Sequence, residues 1–201
     1  MACADQFERI MTEARLRLPG AIDDVMKVEL FSLLDEFLRR THVWQESISI
    51  GVTADRRIYE IDSNEWVATI NELMYVQNKD AIVVNATMPV AGELYLFNYP
   101  PEDQTYVARV SLALANATDD DGFPQMPAWI AIRYHEAFKD GLLGHMAMQP
   151  AKPYYNEKLT LYHMSRFRSA MNTAFADVKQ QNTFDAQGWA FPRTFATSRR
   201  Q

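Results

Sequence analysis

The chain has 201 residues, 48% of them hydrophobic and 23% charged, with a formal net charge of -6 and a single cysteine. That length supports one sizeable core without metals or disulfides, and the lone Cys3 excludes an internal disulfide framework. No apolar run nears the roughly 20 residues that cross a bilayer, the acidic start lacks the pattern of a signal peptide, and the negative balance argues against coating with nucleic acid. Cytoplasmic synthesis and no membrane contact are therefore the expectation, and the Asn85-Ala86-Thr87 and Asn116-Ala117-Thr118 sequons carry no weight.

Phe7, Ile10, Met11, Ala14 and Leu18 recur at helical spacing, and Leu18-Pro19-Gly20 stops that helix. A second helix begins at Asp23-Asp24, whose charges cap or favour a helix N-terminus, and ends at Arg39-Arg40. It carries Val25, Val28, Leu30, Phe31, Leu33, Leu34, Phe37 and Leu38, a stripe broad enough to predict burial on more than one side. After Thr41 the period changes to two. Ser47 to Val52 alternates strictly, Arg57 to Ile61 reads as a strand, and Trp66 to Val76 fits either a strand or, through Ile70, Leu73 and Met74, a helical turn. Beyond a turn at Asn78-Lys79-Asp80, strands are expected at Val83 to Thr87, at Glu93 to Tyr99 before Pro100-Pro101, and at Tyr106 to Leu114. Connections this short leave no room for crossover helices, so the sheet should be mainly antiparallel, a small sandwich or barrel.

Thr118 to Pro124 reads as the return linker, and Pro127 opens a helix with Trp129, Ile132, Ala137 and Phe138 in its apolar pattern. Gly141 and Gly144, followed by Pro150 and Pro153, mark a break before Tyr154. From about Asn156 to Lys179, Leu159, Tyr162, His163, Phe167, Ala170, Met171, Ala174, Phe175 and Val178 define a long helix. The last stretch has no period. It holds Phe184, Trp189, Phe191, Pro192, Arg193, Phe195, Arg199 and Arg200, and from Val178 onward four cations against one acid leave a net of +3. Such a segment reads as an arm that gains order against a partner, with those eight residues as the contact set.

The expected fold class is α+β: a discontinuous helical bundle from residues 1–43 and 125–181, an inserted, mainly antiparallel β module at 44–124, and an extended arm at 182–201. The chemistry is sparse. There is no nucleophile elbow and no Gly-rich phosphate loop, and His42, His135, His145 and His163 lack the spacing that sets two metal ligands on one helical face. Capping and interface hydrogen bonds are their expected use. Asp119-Asp120-Asp121-Gly122 matches the first residues of a calcium loop, but no glutamate stands where the bidentate ligand belongs. No catalytic, cofactor or metal residue is therefore assigned. Trp44, Trp66 and Trp189 look exposed and suited to burial between subunits.

Arg15-Leu16-Arg17-Leu18-Pro19-Gly20-Ala21 and the helix running through Glu29 to Trp44 resemble the opening of the tailed-bacteriophage head-to-tail adaptor, or connector, proteins. Trp129 to Tyr134, Asp140-Gly141-Leu142-Leu143, Gln149 to Tyr154 and His163-Met164-Ser165-Arg166-Phe167-Arg168 are similar to the second half of that family. The resemblance implies a structural virion protein rather than an enzyme. It would be a ring of twelve copies beneath the portal, with long helices side by side around a DNA channel and a C-terminal arm gripping the portal. Tail or neck proteins would lie on the far side, DNA would pass without sequence-specific binding, and the protein would reside in the virion neck after synthesis in the host cytoplasm. An acidic chain suits that passage, because a strongly basic lumen would hold the phosphates. The alternatives are a tail-completion or tail-tube protein, or a small soluble enzyme built on His135, His163 and Asp140.

Overall fold

Helices from the two ends of the chain pack against one another. In the computed structural model, which describes residues 3–64, 67–115 and 123–181, α1 spans Cys3–Arg15 and α2 Asp23–Thr41, while α3 (Ala128–Arg133), α4 (His135–Ala147) and α5 (Glu157–Gln181) follow the strands. The fold class is α+β, as the sequence predicts. Trp66, the Asp119–Gly122 stretch and the whole arm, including Phe184, Trp189, Phe191, Pro192, Arg193, Phe195, Arg199 and Arg200, lie outside the described residues.

Phe7, Ile10, Met11 and Ala14 of α1 are buried, as their spacing requires. In α2, Met26, Leu30, Leu33, Leu34, Phe37 and Leu38 are fully buried because α4, α5 and the sheet pack against different sides of the helix. Val28 does not belong to that stripe and is 69% exposed. Asp23 and Asp24 sit in the first turn, where their charge favours the dipole, and the N-cap position itself is Ile22 without a side-chain cap.

The strands are β1 (Gln45–Val52), β2 (Ile58–Glu60), β3 (Ala68–Gln77), β4 (Val83–Val84), β5 (Ala86–Val90), β6 (Glu93–Leu96) and β7 (Gln104–Leu114). They form two antiparallel sheets, one ordered β1-β7-β3-β4 and the other β2-β6-β5, so the barrel alternative gives way to two separate sheets. β3 resolves the ambiguous stretch. Its register against β7 shifts between Ile70 and Glu72 and again between Leu73 and Tyr75, which breaks the period of two that would have announced a strand. The strand expected to run to Tyr99 ends at Leu96, and Phe97 and Tyr99 are exposed beyond it. β7 is central: Ala108, Val110 and Leu112 are fully buried, and α2 packs against the strand. Trp44 is only 4% exposed, contrary to the expectation of an exposed indole, and its carbonyl accepts from Leu112 N–H.

Two expectations for the second helical block are also corrected. The helix opening at Pro127 ends at Tyr134, and α4 starts at once from His135. Gly141 and Gly144 do not break the chain but lie within α4. A Cβ on Gly141 would stand 2.2 Å from Leu33 Cδ1 and 3.1 Å from Phe167 Cδ2, and one on Gly144 would stand 2.8 Å from Met164. These glycines let α2 and α5 approach α4 closely. The break falls later, between Ala147 and Glu157, where the prolines stand. On α5, Phe167, Met171, Ala174 and Val178 are core, but Leu159 and Tyr162 are exposed.

Candidate functional site

All four histidines lie against a carboxylate from another element. His42 Nε2 is 3.4 Å from Glu72, His135 Nε2 3.3 Å from Glu13, His145 Nδ1 3.3 Å from Glu29, and His163 Nδ1 2.8 Å from Asp140. Each pair ties two segments distant in sequence. The expectation of interface hydrogen bonding thus describes their setting, whereas the proposed grouping of His135, His163 and Asp140 does not form. Asp140 meets His163, and His135 turns to α1.

Asp140 and His163 are the most buried of these pairs, each side chain 6% exposed. The second carboxylate oxygen of Asp140 accepts from Arg166 Nε at 2.8 Å, and Arg166 Nη1 donates to Tyr162 Oη at 3.0 Å. Both oxygens of the acid are thus engaged, one by α5's inner face and one by its outer edge. That arrangement clamps α4 to α5. Arg166 is half exposed, and its pKa is raised, first by the Tyr162 hydrogen bond and then by the Asp140 charge.

Around His135 a second cluster gathers Glu13, Glu136, Lys139 and Arg9. Glu13, His135 and Glu136 offer ligand atoms within 4.8 Å of one another, a donor set of the right type for a divalent cation. The Lys139 ammonium, however, stands 3.2 Å from Glu13 and 2.7 Å from Glu136 and already supplies the positive charge. The Glu13 carboxyl is held down to about 2, chiefly by the His135 hydrogen bond, with burial opposing and Arg9 and Lys139 adding to the depression. Lys139 is pushed up despite burial because its two carboxylate partners outweigh the loss of water. The cluster is an ion-paired joint between α1 and α4.

The remaining surface is organised along α5. An open groove of about 400 Å³ runs between α4 and α5, floored by Ala137, Ala170 and Ala174 and edged by Glu136, Asp140, Arg166, Thr173 and Asp177. A second depression of about 460 Å³ joins the C-terminal end of α2 to α5 through Arg40, His42, Arg168, Met171, Asn172 and Phe175. Lys179 Nζ lies 4.6 Å over the Phe175 ring. Above the groove, Tyr155, Leu159 and Tyr162 are about half exposed, and Leu161 is 66% exposed. On α3, Trp129 and Ile132 are likewise half exposed.

Sequence reasoning named the arm as the contact set and placed long helices side by side, but it read Leu159 and Tyr162 as part of the core stripe, whereas they are exposed. The available signal was the surplus of apolar positions on α5. A helix seated on one core needs a single stripe, and this helix carries Leu159, Leu161 and Tyr162 outside it. The β module holds a cation–aromatic cluster, with the Arg57 guanidinium 5.4 Å from the half-buried Tyr95 ring and 4.6 Å from that of the exposed Tyr99. No protein-family model matches the sequence, and no curated protein matches it.

Proposed function

We propose that this chain is a non-enzymatic structural protein of a tailed-phage neck, forming a twelve-copy ring under the portal that joins head to tail and continues the DNA channel. The observation that carries the reading beyond the sequence resemblance is the outer side of α5. Leu159, Leu161 and Tyr162 on the longest helix, and Tyr155 just before it, stand 47–66% exposed. A single copy leaves that apolar surface in water, and exposed apolar surface of this kind is what protein–protein contacts cover. In a ring, neighbouring copies cover it.

The arm from Asn182 to Gln201 is the proposed grip on the portal. Deleting it should leave a folded, helical protein that no longer joins portal-bearing heads, read by circular dichroism and by electron microscopy of the mixture. Normal joining by the truncated chain would remove the arm from the reading. The same exposed helix also serves a tail-completion or tail-tube protein. Electron microscopy separates the two: ring density directly against the portal supports the adaptor, and density confined to the tail replaces it. Absence of the protein from both positions would end the phage-neck reading altogether.

A further inference from the structure

The two depressions on α5 differ in charge and face different ways. At 3.6 residues per turn, Leu161, Arg168, Phe175 and Lys179 fall on one line along the helix, while Leu159, Tyr162, Arg166, Ser169, Thr173 and Asp177 fall on another, roughly 140° away. The second line steps by three or four residues throughout, the spacing of a helix seam that receives a partner helix. The first line is cationic. Arg168 is exposed and has no ion-pair or hydrogen-bond partner among the described residues, and Arg40 adjoins it in the same depression. The second line borders the groove, where Asp177 of α5, 3.5 Å from Arg133, and Glu136 of α4, 2.7 Å from Lys139, have side chains 44% and 66% exposed beside a floor of alanines that leaves room for a projecting side chain.

We propose that a second copy of this chain seats its Arg168 edge, with Leu161 and Phe175 flanking it, in the Glu136–Asp177 groove of its neighbour, head to tail. This rests on the ring reading above and deepens it by naming the two sides of the seam. The occupant is a second copy because one chain carries both the exposed cation, on α5, and the acids that complement it, Asp177 on α5 and Glu136 on α4. Because two different sides of the chain meet, the contact is heterologous and repeats in the same sense from copy to copy, which generates a ring where the rotation closes. Leu159 and Tyr162, on the same line of α5 as Asp177, supply the apolar part of the contact, and the charges fix register and direction.

The test uses the full-length chain carrying Arg168→Glu, Asp177→Arg or both, measured by sedimentation and by electron microscopy, alone and with portal-bearing heads. Arg168→Glu breaks no contact within the subunit, so its melting temperature should stay at the wild-type value. Each single variant should self-associate at least ten-fold more weakly than wild type. The double variant should recover, and so should an equimolar mixture of the two single variants, because alternating copies restore an opposite-charge pair at every seam. Single variants that assemble like wild type would overturn the seam while leaving the ring reading in place. Failure of both the double variant and the mixture to recover would show that the two residues do not meet. Variants that form rings but no longer bind heads would assign the groove to the portal instead. Wild-type protein that forms no ring even on portal-bearing heads would refute the function on which the seam rests.

Discussion

At the residue scale the buried acid Asp140 carries the sharpest consequence. Its carboxylate joins His163 and Arg166, both on α5, and is itself 6% exposed. Removing one member of a buried pair strands the other, so Asp140→Ala should lower unfolding free energy by about 3 kcal/mol, read from the urea midpoint at constant slope. Asp140→Asn, which keeps the shape, should cost less. Glu13 gives a pH signature of its own. Its folded pKa is depressed from 4.5 to about 2, so the stability it confers is complete above pH 4.5 and is lost as the pH falls toward 2. Glu136, lowered mainly by its hydrogen bond to Lys139, acts in the same direction. Thermal melts across that window should therefore fall with acid less steeply for Glu13→Gln than for wild type. Equal slopes would mean that Glu13 is not held by His135.

At the element scale, α4 is defined by what it lacks. Gly141 lies against Leu33 of α2 and Phe167 of α5, both fully buried, and a methyl group there would overlap Leu33 Cδ1 at 2.2 Å. Overpacking of a filled core costs roughly 1–3 kcal/mol, more than the ~1 kcal/mol that alanine gains over glycine as a helix former. Gly141→Ala should destabilise. Gly144→Ala meets mainly the Met164 side chain, which is partly buried and flexible enough to turn aside. It should cost clearly less than Gly141→Ala, and a reversed order in denaturant melts would contradict this packing. The same close approach brings Asp140 onto α5, so the helix packing and the buried clamp are parts of one joint.

For the molecule as a whole, the link between the helical layer and the sheets runs through β7. It pairs with β1 on one side and β3 on the other, and α2 packs against it. Leu112 is fully buried on this strand, with its N–H donating to Trp44 at the exit of α2. Truncation of Leu112 to Ala should lower stability by about 2–5 kcal/mol and do so for helices and strands together. Hydrogen exchange is the measurement. Loss of protection in the strands alone would show that the β module opens as a separate unit.

The sequence by itself determined most of the helices and strands, because periods of 3.6 and 2 follow directly from burying one side of each element. It also placed helices at both ends with strands between. What it left open needed partners in space. The bulged β3 lost its alternation to the register with β7, and the glycines of α4 looked like a break until Leu33 and Phe167 were seen against them. The pairing of each histidine with a distant carboxylate is likewise a contact across tens of residues, and the exposure of Leu159 and Tyr162 follows from where α5 finds no such neighbour. A local pattern records how much apolar surface an element has, and only the tertiary structure decides which of it this chain covers and which it leaves for another.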